Sequence, residues 1–132
     1  MSWEIQIIDQ PRAVRGSATG PMGLAAVKQF ATELLTEAAR QGLHRILIDD
    51  RDMMPQLSTL EIHGLPEILA RLGLCSHDQI AIVYSGNSPK AADYRFLENT
   101  ALNRGFDVRL FTRMEDALGW LGQVRSEAPQ PA

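Results

Sequence analysis

The chain has 132 residues, and its 13 lysines and arginines stand against 16 aspartates and glutamates, for a formal net charge of -3. A hydrophobic content of 45% in a chain of this length suits one globular domain and excludes a disordered protein. No stretch approaches the roughly 18 apolar residues of a membrane span, and no secretory signal is recognised. The slight acidity argues against nucleic-acid binding. The single cysteine, Cys75, allows no internal disulfide and suggests a reducing compartment.

Two strands and a helix are predicted for the first third of the chain. Residues 3–9 alternate between apolar and polar side chains, which is typical of a half-buried strand, and residues 12–16 are interpreted as its antiparallel partner. Residues 17–21 are interpreted as a connector in which Pro21 opens a helix. Apolar side chains spaced by three and four residues predict an amphipathic helix over 22–41, ended by a glycine.

Three further apolar runs, at 45–49, 80–84 and 107–111, predict central strands that are covered on both faces. Helix-length segments separate them, so they are expected to be mutually parallel. The predicted fold class is therefore α/β, with a single-layer mixed, mostly parallel β-sheet flanked by helices. We assign residues 1–124 to this domain. Residues 125–132, which include two prolines and no core residue, are predicted to form a flexible tail.

Local signals mark the beginnings of the later helices. Ser58 and Glu61 have the spacing of a capping box, and Thr112 begins the same pattern before the last helix. Pro66 interrupts the helical stretch that follows Ser58, because its ring would clash with the preceding turn. We expect either a kink there or a short turn leading into a helix over 65–72.

Polar side chains collect where the central strands end, which is the usual place for a ligand crevice in an open α/β sheet. Asp49, Asp50 and Asp52 together suggest a divalent-cation site, but neighbouring residues on a strand point to opposite faces and Arg51 offers a neutralising partner. An enzyme that uses Asp49, Arg51 or Asp52 is therefore the least favoured function. The candidates for contacting a partner or ligand are Asp49, Asp50, Arg51, Ser85, Asn87 and Ser88.

The cysteine and the histidines do not form a recognisable catalytic or metal-binding motif. Cys75 and His77 are close in sequence but lack an assignable third residue to orient the imidazole. His63 is expected to form a surface pair with Glu67, and His44 is interpreted as a turn residue. The histidine spacing is not that of a zinc site, and no phosphate-binding glycine motif occurs. We therefore expect no catalytic residue, no metal and no cofactor.

Several of these segments resemble the SpoIIAA-like branch of the STAS superfamily, over residues 3–122. The resemblance is carried by the strand that Asp49 closes, and by the strand 105–111 with the Ala-Leu-Gly-Trp-Leu helix of 117–121. It implies a mixed sheet flanked by helices, in a small bacterial protein of the cytoplasm. Most proteins of this branch have no assigned activity.

The resemblance also implies a regulatory role for one serine. Anti-anti-sigma factors carry a phosphorylated serine in an Asp-Ser-x-Gly pattern at the start of the helix after the central strand. Counting from Asp49 along that pattern leads to Ser58, although Leu57 and Leu60 stand where the family has aspartate and glycine. Ser58 is therefore a candidate phosphosite, and the alternative is that it only caps its helix.

The leading functional hypothesis is a non-catalytic STAS-type regulatory or interaction module. It would bind a protein partner or a small ligand through the loops after the central strands. The alternative is a carrier of a small hydrophobic or amphipathic ligand, which distant kinship with CRAL-TRIO lipid carriers suggests. A carrier needs a cavity of roughly several hundred Å³ between sheet and helices. Homodimerisation through the first strand or the last helix is left open.

Overall fold

The computed structural model describes residues 2–123, which form one five-stranded sheet and five helices. The strands are β1 (Ser2–Asp9), β2 (Arg12–Met22), β3 (Arg45–Pro55), β4 (Gln79–Val83) and β5 (Asp107–Phe111). The helices are α1 (Leu24–Gln41), α2 (Thr59–His63), α3 (Leu65–Arg71), α4 (Ala91–Asn103) and α5 (Met114–Leu121).

The strands lie in the sheet in the order β1-β2-β3-β4-β5. β1 and β2 form an antiparallel hairpin, whereas β2 through β5 are all parallel to one another. Each parallel step contains at least one helix, as the crossover between parallel strands requires. The predicted α/β class, with a mixed and mostly parallel sheet, is confirmed.

Helices cover the two faces of the sheet unequally. On the first face, α1 to α4 pack over one large core that includes Leu34, Ile62 and Leu97. On the second face, α5 is the helix that covers the sheet within residues 2–123, and it contributes Ala117 and Leu121 to a smaller core. The side chains of each central strand alternate between these two cores, so both faces are apolar, as the uninterrupted apolar runs predicted.

Each face of the sheet also holds one tryptophan. Trp3 belongs to the first face, where its ring centroid lies 5.6 Å from that of Phe30. Trp120 belongs to the second face and packs against Phe111 with a centroid distance of 5.9 Å. The guanidinium of Arg109 lies 5.3 Å from the centre of the Trp120 ring, which is within cation–π range.

The predicted connector at 17–21 is wrong, because β2 continues as a strand to Met22. β3 is likewise longer than predicted and runs to Pro55, so most of the expected loop after Asp49 is strand. The two extensions pair with each other, from Thr19 opposite Asp52 to Met22 opposite Pro55. The first residues of the β2 extension, Ser17 to Thr19, also pair with β1, and neither extension has a strong strand propensity of its own.

The interruption predicted near Pro66 is confirmed. α2 ends at His63, Gly64 separates the two helices, and α3 begins at Leu65. Pro66 lies in the first turn of α3, where its missing N–H would have had no helical partner. The segment therefore forms two short helices instead of one kinked helix.

Of the two predicted capping boxes, one is confirmed and one is wrong. The Ser58 hydroxyl accepts a hydrogen bond from the Glu61 amide at 3.1 Å, and the Glu61 carboxylate accepts one from the Ser58 amide at 2.8 Å. The last helix has Arg113 at its N-cap and no side-chain cap, because it begins one residue later than predicted. Thr112 is thus outside the capping position, and Arg113 pairs with Glu115.

Two predictions concern the chain end and membranes. The flexible tail predicted at 125–132 lies outside the described residues, and so does the last residue of the predicted domain. Within residues 2–123, no helix is both long enough and apolar enough to cross a bilayer.

Candidate functional site

The predicted site residues lie within β3, after β3 and after β4, and they do not form one cluster. Asp49 and Arg51 face the second side of the sheet, where Asp49 contacts Arg15 of β2. Asp50 points to the first side, into the lining of a cavity. Ser58 begins α2, and the loop 85–88 follows β4. Asp49 and Asp50 therefore lie on opposite faces of the sheet, as expected for neighbouring residues on a strand.

Asp49 is held between two arginines. The Nε and Nη2 atoms of Arg51 donate to its two carboxylate oxygens, each at 2.9 Å, and Nη2 of Arg15 donates at 3.3 Å. Partial burial would raise the pKa of Asp49, but the hydrogen bonds and charge of Arg51, helped by Arg15, outweigh it and lower the pKa. The prediction that Arg51 neutralises its neighbour is confirmed. A carboxylate engaged in this way is not free to bind a cation.

Asp50 is part of an apolar interior and not of an exposed loop. Its Oδ1 atom is buried and has no hydrogen-bond partner within residues 2–123, although the residue keeps some exposed surface. Burial, and secondarily the charge of Asp49, raise the pKa of Asp50 to about 7. Burial, and secondarily the charge of Asp50, also raise the pKa of the nearby Tyr94 hydroxyl. A substantial fraction of Asp50 is therefore protonated near neutral pH.

The cavity beside Asp50 lies between the sheet and the helices of the first face. Its volume is about 70 Å³, and its lining is apolar except for Lys28, Asp50 and the Tyr94 hydroxyl. The apolar side chains around it include Phe30 and Leu97. This space holds a few water-sized groups, and it is well below the roughly 300 Å³ at which small-molecule pockets begin.

Ser58 is exposed at the start of α2, and the next residue, Thr59, connects this helix to α4. The hydroxyl of Thr59 donates to the Asp93 carboxylate at 3.1 Å, in the first turn of α4. Leu60, the next residue, is 82% exposed although it is large and apolar. The capping box fixes the Ser58 hydroxyl at a solvent-facing helix end.

His63 connects α2 to α4 as well, so the predicted pair with Glu67 is wrong. Its Nε2 atom lies 3.5 Å from an Asp93 carboxylate oxygen, and its ring centroid lies 4.3 Å from that of Phe96. The rule that residues four apart face each other fails here because α2 ends before Glu67 is reached and α3 runs separately. Phe96 nonetheless remains 51% exposed.

The loop 85–88 leads from β4 into α4. The Ser85 hydroxyl accepts a hydrogen bond from the Asn87 amide at 3.3 Å, and the Ser88 hydroxyl accepts one from the Lys90 amide at 3.1 Å. Both serines therefore stabilise the turn that starts α4. The loop is joined to Ser58 indirectly, through the contact of Thr59 with α4. A role of Ser85, Asn87 and Ser88 in binding stays a prediction.

One cluster of chemically active side chains was missed by the sequence reasoning. At the opposite end of the strands, His44 Nδ1 lies 2.8 Å from an Asp78 carboxylate oxygen, and the Cys75 thiol lies 3.4 Å from the other oxygen. His44 and Asp78 are 34 residues apart. The available signal was that each directly precedes a central strand, and neighbouring parallel strands begin side by side.

Comparison with known proteins identifies the fold. No family model and no curated protein matches the chain, whereas several solved structures do. An uncharacterised DUF3478-family protein with a SpoIIAA-like fold from Shewanella loihica PV-4 is 21% identical, with a TM-score of 0.57 and coverage of 91% of this chain and 92% of that one.

Two further structures have names that refer to sigma-factor regulation. An anti-sigma factor antagonist from Mycobacterium paratuberculosis is 18% identical, with a TM-score of 0.58 and coverage of 92% and 96% of the two chains. The anti-sigma factor antagonist SpoIIAA in its unphosphorylated form is 12% identical, with a TM-score of 0.53 and coverage of 93% and 100%. The chain thus has a SpoIIAA-like fold, as its sequence resemblance implied.

Proposed function

We propose that this chain is a non-catalytic STAS-type regulatory module that binds a protein partner through one surface. We call the exposed side chains of Ser58, Leu60 and Phe96 the α2–α4 surface. The observation that carries the proposal is that two large apolar side chains, Leu60 and Phe96, are exposed on packed helices beside an exposed N-cap serine. Aromatic and large apolar side chains of this kind are typical anchors in protein interfaces.

The similarity to two anti-sigma factor antagonists supports a regulatory role, since their names describe proteins that oppose an anti-sigma factor. The state of the acidic residues argues against an enzyme at the strand ends. Asp49 is engaged by Arg51 and Arg15, and Asp50 faces the interior.

Phosphorylation of Ser58 is the proposed switch for this surface. A phosphate there would carry about two negative charges next to the helix N–H groups, which favours it, but also next to the Glu61 carboxylate. Glu61 would then be repelled from the Ser58 amide, and the capping box would lose one of its two hydrogen bonds. The charge and the local shape beside Leu60 would both change.

The test is quantitative affinity purification from lysate of the cells that express the chain. The baits are the wild type, Leu60→Asp, Ser58→Asp and a matched control, Leu102→Asp. Leu102 is also an exposed leucine, 66% exposed, and lies about 9 Å along α4 from Phe96. We expect a protein that the wild type and the control retain, and that Leu60→Asp and Ser58→Asp retain at least about tenfold less. If no protein distinguishes Leu60→Asp from Leu102→Asp, the proposed surface is wrong.

The second candidate function is a carrier of a small hydrophobic or amphipathic molecule. It is favoured by the apolar cavity, in which Asp50 offers an unpaired oxygen. The cavity of about 70 Å³ would have to widen by movement of the first-face helices. Native mass spectrometry of the undenatured chain separates the two functions. A bound apolar molecule that Asp50→Asn releases supports the carrier, and the mass of the bare chain contradicts it.

A further inference from the structure

Three side chains with different donor atoms meet at the amino-terminal edge of the sheet. They are His44, which precedes β3, and Cys75 and Asp78, which lie in the loop before β4. One nitrogen, one sulfur and one carboxylate oxygen from them all lie within 4.8 Å of one another. The pairing of Arg45 with Gln79 explains this, because it places the two preceding residues next to each other.

Asp78 is the fixed centre of this group. Its side chain is only 10% exposed, and its Oδ2 atom accepts a hydrogen bond from the Cys75 amide at 2.9 Å. The Cys75 thiol donates to the same oxygen at 3.4 Å, and His44 Nδ1 lies 2.8 Å from Oδ1. Cys75 and His44 are both exposed, so they can turn without disturbing the core.

The 3.4 Å between the Cys75 thiol and Asp78 matches a zinc site, the 2.8 Å between His44 and Asp78 is shorter, and all three donor atoms lie within 4.8 Å. Bonds of about 2.0–2.1 Å to nitrogen and oxygen and of about 2.3 Å to sulfur place tetrahedral ligands roughly 3.3–3.7 Å apart. In the metal-free chain, protons on the thiol and the imidazole can occupy the positions that a cation would take. Zinc binding would release such protons, which small side-chain rotations would allow.

We propose that His44, Cys75 and Asp78 form a binding site for a borderline-soft divalent cation, with Zn²⁺ as the best fit. A thiolate and an imidazole select Zn²⁺ over Mg²⁺ and Ca²⁺, which prefer oxygen ligands alone. Three protein ligands leave one tetrahedral position open, and a groove lined by Leu43 and Gly73 adjoins it. His77 is a neighbour, with its ring centroid 6.4 Å from that of His44.

The competing explanation is that Asp78 only stabilises the loop before β4. In that case the Cys75 thiol would have no role, and the exposed imidazoles would bind metal weakly and independently of it. This site lies at the opposite end of the strands from the α2–α4 surface. The zinc proposal and the proposed function can therefore fail separately.

The test is titration of the metal-free, reduced full chain with Co²⁺, followed by displacement with Zn²⁺. We expect one Co²⁺ per chain, a thiolate-to-cobalt charge-transfer band and the intense visible bands of tetrahedral Co²⁺. Cys75→Ser should abolish the charge-transfer band. Both Cys75→Ser and His44→Ala should weaken Zn²⁺ affinity at least about tenfold, measured by competition with a chromophoric chelator.

His63→Ala is the matched control, because His63 is a histidine on α2 and away from the cluster. It should keep wild-type Zn²⁺ affinity and the charge-transfer band. His77→Ala tests whether the neighbouring ring supplies the fourth ligand, and a loss of affinity there would add His77 to the site. A Co²⁺ spectrum without a thiolate band, or equal Zn²⁺ affinity in the wild type and Cys75→Ser, would overturn the proposal.

Discussion

Gly16 lies on β2 directly beneath the side chains of Leu34 and Phe30 of α1. A Cβ atom at this position would lie 2.7 Å from Leu34 Cδ2 and 2.8 Å from the ring of Phe30, both in the first-face core. These contacts are far below van der Waals distance, and both neighbours are buried. A side chain of even one carbon therefore requires the Leu34 and Phe30 side chains, or α1 as a whole, to shift.

We predict that Gly16→Ala lowers the free energy of unfolding by about 1–3 kcal/mol, as overpacking does in well-packed cores. Urea denaturation followed by circular dichroism measures the change. The control is Gly119→Ala in α5, where a Cβ would meet no atom within 4 Å. Alanine should stabilise that helix by about 0.5–1 kcal/mol. Equal effects at the two glycines would contradict the packing argument.

Asp50 makes stability depend on pH in an unusual direction. Burial raises the pKa of Asp50 from 3.8 to about 7, so the folded chain binds this proton more tightly than the unfolded chain. The stability that this group contributes is present in acid and is lost as the pH rises from 3.8 through about 7. Most acidic residues in ion pairs behave in the opposite way.

We predict that Asp50→Asn removes the loss of stability at higher pH, because the amide stays neutral at all pH values. Urea unfolding should show a stability difference that shifts toward the variant as the pH rises from 3.8 to about 7, and that stays constant at higher pH. Asp52→Asn is the control, since Asp52 is an exposed acid on the same strand and should leave the pH profile close to that of the wild type. A variant profile parallel to the wild-type profile would show that Asp50 ionises normally.

Among the described helices, α5 is the one that packs on the second face of the sheet. Leu121 and Ala117 have no exposed surface, and they pack against Leu47, Ala81 and Val83 of the central strands. On the first face, by contrast, four helices share one core. Among the described residues, no neighbouring helix could compensate for the loss of packing between α5 and the sheet.

We therefore predict that Leu121→Ala lowers the free energy of unfolding by about 2–5 kcal/mol, the usual cost of truncating a fully buried leucine. Thermal and urea denaturation would both show it. Leu102→Ala is the matched control on α4, because that side chain is 66% exposed and its removal should change stability by no more than about 0.5 kcal/mol. A small effect at Leu121 would mean that the second face is loosely packed.

Elements whose signal lies within their own sequence were predicted, and elements that depend on a distant partner were not. The buried strands near Ile46, Ile80 and Val108 were recognised because apolar runs of this kind need cover on both faces. The paired extensions of β2 and β3 were missed, since each is stabilised by backbone hydrogen bonds to the other.

The candidate site shows the same division. The Ser58 capping box and the Asp49–Arg51 pair join residues no more than three positions apart, and the sequence was sufficient to predict both. The pairs His44–Asp78 and His63–Asp93 join separate elements, so their partners depend on strand register and helix packing. Spacing along the chain holds no information about such contacts.

At the level of the whole molecule, the sheet has two edges, β1 and β5. Among residues 2–123, β1 pairs with β2 on one side, and no described strand pairs with its other side, where a second copy of the chain could add a strand. Homodimerisation through β1 stays a prediction. The α2–α4 surface and the cluster at His44 belong to different ends of the strands, so a dimer at this edge would leave both accessible.

The placement of one tryptophan on each face has a practical consequence for following the unfolding reaction. Trp3→Phe leaves the indole of Trp120 as the sole fluorophore of its kind, and Trp120→Phe leaves that of Trp3. The tryptophan fluorescence of each variant then reports on the core of one face of the sheet alone. Because both layers share the same five strands, we predict that emission and circular dichroism give the same urea midpoint within each variant. A fluorescence midpoint at a lower urea concentration than the circular-dichroism midpoint would show which core unfolds first.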